Sequence, residues 1–570
     1  MSYGSLFLGI TAFWILVHAT NQLYLSRSEG STLPAFAPRR RRTGNITVSV
    51  DRLHLRVQTT RLNSVHDLFA QWSSKNLRLR RVLSGFYNLG TAACCMGVLT
   101  ALGLLLWTTW GLLSATFSAT TKSGLPPPDN TLTKRDTLPP EPSSSTATSS
   151  FGIRPLIPGV TVPMSHLPLM LLAVLVGQIV HEMGHAAASA LEQIHITSAG
   201  LSILVLFPSA FVALPTSAIE ALSARARLHI IAGGPYHNLC YFVALWTARW
   251  IGVFAVLAPI SGTLAGYEDI SALGRVVVGV DEGSNLHAYI PRGAILTHLD
   301  DVKLDSATAW DEYFTAPSSS KGAMGWCVPR RHVADAPTDC CDPSLFGVPS
   351  TLACFVEWGG GGGAQACLNP VPLLGNPRSP RCDASAPCAD EATCAQPSDA
   401  AHLVRICMQA AAGPSEEIVI WNGEREEVRE AVQTSTWRPR LFFLPLGLPS
   451  TVEALLQYLE LATLSLFLFN LLPLPMLDGE QFLRSLLDLV LGDASPYDEY
   501  DVAALEDAEA GFGAAQSTGG RTSSGSVRRR RSWRPQDAER WKERVCKGAT
   551  TVTMGSLGTC VVLGMAQSVR

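Results

Sequence analysis

At 570 residues the chain has room for several folded units, and 47% hydrophobic against 16% charged residues set it apart from soluble enzymes, which carry more charge. A net charge of −3 says nothing useful about nucleic acid, and no nucleic-acid partner is expected. The apolar residues are clumped rather than spread, which points to a polytopic membrane protein in a lipid bilayer.

Ser5 to Ala19 is a short apolar run. No positive charge precedes it and no clear small-residue cleavage site follows, so it reads as an uncleaved first span. Residues 23–85 carry Arg39-Arg40-Arg41-Arg42 and the sequon Asn45-Ile46-Thr47. Val65 to Leu83 suits either a basic helix on a membrane surface or a solvated helix. Residues 86–117 are uncharged and fit one tilted span or two half-spans. The arginines of 23–85 favour the cytosol, whereas the sequon is usable only in the lumen, so the side of this loop stays open.

Residues 118–162 are rich in Ser, Thr and Pro and read as a disordered linker. Leu169 to Ala190 follows as an apolar helix with Pro168 in its first turn and the motif His181-Glu182-Met183-Gly184-His185 in its second half. Gly200 to Pro215 is too short, and too broken by Pro208, for a helical span, and suggests a hairpin dipping into the membrane. His229 to Pro259 holds the next span, which includes Gly234-Pro235-Tyr236-His237-Asn238. Asn238 is followed by apolar residues and needs a partner, either a neighbouring helix or a ligand.

Residues 260–440 read as a soluble block. Strands are expected at Val276–Val280, Gly293–Asp301 and Ile418–Trp421, with a short helix at Thr308–Phe314. Cys327 to Cys407 holds nine of the fourteen cysteines in a loop-rich insert with the glycine run Gly359–Gly363. Cysteines this dense imply disulfides and an oxidising compartment, with one thiol left over. Val452 to Leu472 is an apolar helix stopped by Pro473 and Pro475, and Phe482 to Leu491 resumes one. Residues 493–545 pass from acidic to Gly/Ser-rich to basic and read as a disordered insertion before a last span at Thr550–Ala566.

On a helix the imidazoles of His181 and His185 leave one face a turn apart and can hold one zinc ion, with Glu182 beside them as general base. Two histidines and a glutamate in a membrane-length apolar run are costly unless they have partners. A catalytic zinc takes three protein ligands, and Asp478, at a helix break ahead of Gly479, is the leading third candidate. Glu480 and Asp488 are its rivals, and Asp478 also suits a helix N-cap.

HExxH in a membrane helix, Asn470-Leu471-Leu472-Pro473 through Leu477-Asp478-Gly479 in a later one, and a soluble block between them resemble the site-2 protease family of intramembrane zinc metalloproteases. Gly234 to Asn238 is similar to that family's Gly-x-x-x-Asn element, and Pro208 to Val212 resembles its membrane-dipping hairpin. Residues 276–314 and 401–435 look like a split PDZ-like domain carrying the cysteine-rich insert, as in the eukaryotic branch.

The resemblance implies a mainly α polytopic membrane protein of about six transmembrane helices with a membrane-dipping β-hairpin and an inserted, soluble, β-rich PDZ-like domain. The implied divisions are a transmembrane region with a basic loop (1–117), the linker (118–162), a first catalytic membrane part (163–260), the PDZ-like domain (261–440), a second catalytic part (441–492), the insertion (493–545) and a last helix (546–570). The implied activity is hydrolysis of peptide bonds within transmembrane segments of membrane-anchored transcription factor precursors of the sterol-regulatory-element-binding type, first trimmed by another protease. The implied metal is zinc on His181, His185 and Asp478, with Glu182 and Asn238 as catalytic residues. The implied setting is an endoplasmic reticulum or Golgi membrane, with the cysteine-rich region in the lumen. A catalytically inactive adaptor that binds transmembrane helices is the alternative, but it predicts loss of a ligand or base, and all four are present. A transporter would predict inverted repeats of the spans, and none is visible.

Overall fold

The computed structural model describes residues 3–27, 41–43, 45–122, 162–315, 324–342, 351–357, 364–376, 379–383, 386–398, 403–410, 416–491 and 535–568. The chain forms two compact units, Met1–Thr247 with Leu455–Arg570, and Ala248–Ala454.

The first unit is helical with one sheet. Its helices include α1 (Tyr3–Arg27), α2 (Arg61–Lys75), α3 (Leu77–Lys122) and α4 (Leu167–Leu191), then helices Ala224–Trp250, Asp478–Leu491 and Pro535–Ser568. Among the described residues, three helices are long and apolar enough to cross a membrane: Leu77–Thr116, Met164–Leu191 and Leu448–Asn470. A fourth is counted if Ala224–Trp250 and Val253–Leu264 form one broken span. Residues 86–117, open to two readings from sequence, are one uninterrupted helix. The span expected over 229–259 is instead two helices, because Gly252 takes φ +77°, a left-handed value that favours glycine, and turns the chain after Trp250. The apolar stretch of α1, Phe7–Leu23, falls below the spanning length. The C-terminal helix begins at Pro535, earlier than the expected 546, and its first half is charged. The linker expected at 118–162 lies mostly outside the described residues, as does the insertion expected at 493–545 up to residue 534.

The expected hairpin is present as β4 (Ser198–Leu204) and β5 (Phe207–Ala213). It is not isolated. β1 (Arg41–Thr43), β2 (Ile46–Asp51) and β3 (His54–Thr59) extend it into one antiparallel sheet, with His54 opposite Leu204 and Thr59 opposite Ala199. Alternation in Ile46-Thr47-Val48-Ser49-Val50 suits such a half-covered strand. Within the loop 23–85, residues 46–59 therefore join the hairpin directly in one sheet.

The core of this unit joins Cys94 and Val98 of α3, Leu228, Ile231 and Tyr236 of the Ala224–Trp250 helix, Phe467 and Leu471 near Asn470, and Phe482 after Asp478. Burial of this apolar surface is what brings sequence-distant segments to one place.

Among the described residues the second unit holds three sheets, the smallest pairing Tyr267–Asp269 with Trp437–Pro439. Strands Arg275–Val280, Ile295–Leu299, Leu403–Gln409, Glu416–Asn422 and Val432–Ser435 form one, with Val302–Lys303 on the side. The two expected halves, 276–314 and 401–435, thus fold together around Val277, Leu299, Ile406 and Val428. The insert forms a separate five-stranded sheet closed by disulfides Cys327–Cys388, Cys340–Cys367, Cys341–Cys354 and Cys382–Cys394. Cys407 is the thiol left over, buried in the first sheet. Gly359–Gly363 lies outside the described residues.

Candidate metal centre

α4 carries its motif into the middle of the first unit, where small residues allow a close approach. A Cβ on Gly184 would lie 2.2 Å from the Gly233 carbonyl oxygen, and one on Gly233 would lie 2.7 Å from that of Gly184. The two backbones therefore touch, and the next residue along, Gly234, faces the paired imidazoles. A Cβ there would lie 2.4 Å from His185 Nε2 and 2.7 Å from His181 Nε2. The absent side chain leaves the space in front of both nitrogens.

Asp478 fills the third side. Pro473 and Pro475 end the preceding helix, Met476 takes φ +72°, and Asp478 opens the next helix. Gly479 is needed for this turn, since a Cβ would lie 2.4 Å from the carbonyl oxygens of both Leu471 and Leu472. Asp478 Oδ2 stands 2.9 Å from His181 Nε2 and 3.4 Å from His185 Nε2, and the two Nε2 atoms are 3.1 Å apart. One donor atom from each residue lies within 4.8 Å of the other two.

The donor set fits a divalent cation. His185 Nδ1 donates to the Ile230 carbonyl at 2.8 Å, and a carbonyl can only accept, so the proton sits on Nδ1 and the Nε2 lone pair faces inward. The Asn238 amide lies 3.2 Å from His181 Nδ1, with Asn238 fully buried and its Oδ1 without a partner. Turning that amide by half a rotation puts Oδ1 on the Nδ1–H and fixes the same tautomer on His181. Asp478 Oδ2 is buried without a hydrogen-bond donor. Two inward lone pairs and a carboxylate oxygen repel one another unless a cation sits among them.

The family of the chain can now be tested. Residues 446–504, which include Asn470 to Gly479, match the model for peptidase family M50. Over 388 residues the chain is 22% identical to the membrane-bound transcription factor site-2 protease homolog of Arabidopsis thaliana, a match covering 58% of this chain and 72% of that protein. The chain is thus similar to a site-2 protease, and its residues 446–504 carry the M50 pattern. It is also an integral membrane protein, as its apolar helices require.

In this chain the rival ligands are placed elsewhere. Asp488 pairs with Lys542 at 2.6 Å and Arg227 at 3.2 Å. Glu480 lies outside the three-residue cluster. Asn238 meets a histidine rather than open space. Glu182 Oε2 accepts the Val212 N–H of β5 at 2.8 Å, and Gln178 Oε1 accepts the Ala210 N–H at 3.1 Å. Gln178 was missed in the sequence. The signal was there: an amide in an apolar helix, one turn before Glu182 and on its face.

Proposed function

We propose that the chain is an intramembrane zinc metalloendopeptidase that hydrolyses peptide bonds within transmembrane segments. One observation carries the reading: His181 and His185 on one helix, and Asp478 from a helix far later in the sequence, present donor atoms within 4.8 Å of one another. Zinc bound there supplies Lewis acidity to an attacking water and to the scissile carbonyl. His181, His185 and Asp478 would hold it, and Gly234 leaves room for substrate beside it.

Glu182 takes the proton of the attacking water at Oε2 and passes it to the leaving amine as the carbon–nitrogen bond breaks. In the resting protein Oε2 is held by Val212 N–H. β5 ends its sheet, and its Ala210 and Val212 amides are the donors an added strand would use. An unwound substrate segment that pairs with β5 displaces Gln178 and Glu182 and frees the carboxylate at the moment it is needed. Asn238 is a positioning residue for His181 in this reading, supported by its 3.2 Å contact with Nδ1. The resemblance instead suggests that Asn238 holds the substrate backbone or the developing oxyanion.

The finer assignments stay proposals on the family's pattern: about six spans, the seven divisions read from the sequence, and a PDZ-like nature of the block around 276–435. So do substrates of the sterol-regulatory-element-binding type trimmed beforehand, and an endoplasmic reticulum or Golgi membrane with the cysteine-rich sheet luminal. Four disulfides in that sheet support the luminal side. The test is cleavage of a single-span substrate by purified protein in detergent. Cleavage that a zinc chelator abolishes and added zinc restores supports the reading; cleavage indifferent to the chelator defeats it.

A further inference from the structure

A second group of metal-ligating side chains lies away from this centre: His66 and Asp67 of α2, and His195 in the connection from α4 to β4. His66 is buried, and its Nε2 lies 3.1 Å from the Ala186 carbonyl oxygen and 3.2 Å from Ser189 Oγ. Ser189 Oγ already donates to Ala186 O at 2.9 Å, so both neighbours accept, and the imidazole proton sits on Nε2. His66 Nδ1 is thereby a lone pair, buried and without a hydrogen bond, yet it faces Asp67 Oδ1 at 3.6 Å. An acceptor pointed at a carboxylate needs a positive charge between them. His195 Nδ1 reaches the same oxygen at 2.8 Å, with its ring mostly exposed.

From this geometry we infer a second divalent transition-metal site in which His66 Nδ1, Asp67 Oδ1 and His195 Nδ1 bind zinc. Two imidazoles and a carboxylate are a zinc donor set, and the three donor atoms lie within 4.8 Å of one another, as at the first centre. The exposure of His195 leaves a path for entry and exchange. Occupancy would brace α2 against the start of β4, where Asn63 Nδ2 already donates to the Thr197 carbonyl at 3.1 Å and Gln193 Nε2 to that of Ala70 at 3.2 Å. This site does not depend on the protease reading, because no residue is shared.

The test is zinc content per chain of purified full-length protein equilibrated in zinc-buffered detergent solution, with magnesium in excess to mask weak oxygen sites. The parent is expected to hold two equivalents. Asp478→Asn and His195→Ala should each hold one, and the double variant none. His195 is exposed, so its replacement leaves the fold intact, and the remaining equivalent on Asp478 reports that it has. If His195→Ala and Asp67→Asn both keep the parent's zinc content, a proton on His66 rather than a metal answers the carboxylate, and the inference is overturned. A result in which Asp478→Asn keeps two equivalents while His195→Ala loses one counts against the first centre alone.

Discussion

The amide of Val212 donates to Glu182 Oε2 at 2.8 Å, which ties the general base of the proposed reaction to the edge strand that would receive substrate. Glu182→Gln keeps an acceptor for Val212 but cannot take up a proton. It should retain zinc and the hairpin's position while cleavage falls ~10²–10⁴-fold, the usual share of a general base. Metal analysis beside a cleavage assay checks this, and a variant that cleaves normally would rule out the mechanism.

Gly234→Ala tests the metal pocket with a single methyl group. That carbon would sit 2.4 Å from His185 Nε2 and 2.7 Å from His181 Nε2, where neither ring can move away without losing its contact to Ile230 or Asn238. Zinc binding should be lost while helix content by circular dichroism is unchanged. Full zinc occupancy in this variant would place the metal somewhere else.

Asn238→Ala separates positioning from transition-state stabilisation. If Asn238 orients His181, zinc affinity should drop ~10–100-fold, as for other partners of metal-bound histidines, and excess zinc should restore much of the rate. Unchanged zinc affinity with a kcat deficit that zinc does not rescue would instead return Asn238 to the oxyanion role.

The legibility of this molecule divides along physical lines. His181, Glu182 and His185 are close in sequence on one helix, so their juxtaposition follows from helical period alone. Asp478 needed a chemical argument about a carboxylate at a break in an apolar helix, and the fold places it with them. The hairpin was visible because Pro208 forbids a span, but its extension by Ile46–Thr59 was not, since strand pairing over more than a hundred residues leaves no local mark. The break at Gly252 was hidden by the apolar residues on both sides of it, Phe242–Trp246 and Trp250–Pro259, which report burial or lipid and not direction. His66 and His195 drew no notice because each is isolated in sequence.

The cysteine pattern makes a separate prediction. Peptide mapping without reductant should recover Cys327–Cys388, Cys340–Cys367, Cys341–Cys354 and Cys382–Cys394. Cys407 should stay reduced and resist iodoacetamide at mild alkaline pH, because burial pushes its thiol up to about 11 and shields it. Denaturant should expose it to complete labelling. Rapid labelling of Cys407 in the folded protein would contradict its place in the sheet.

Asp488 supports the site from behind. Its two oxygens are divided between Lys542 at 2.6 Å and Arg227 at 3.2 Å, and the three side chains are 13%, 5% and 18% exposed respectively. This carboxylate binds the Asp478–Leu491 helix to the C-terminal helix and to the helix that carries Asn238. Asp488→Asn removes the carboxylate that Lys542 and Arg227 share, leaving Lys542 with Glu539 at 3.4 Å. Removing one member of a mostly buried pair costs up to about 3–5 kcal/mol, more than for an exposed ion pair. The variant should therefore melt at lower temperature in detergent and be cut by protease within Pro535–Ser568 before the rest of the chain. It should still bind zinc while folded, because no metal ligand is altered. Equal melting of variant and parent would show that the ion pairs are too well hydrated to hold these helices together, and Asp478 would then owe its position to the apolar contacts of Phe482 and Leu471 alone.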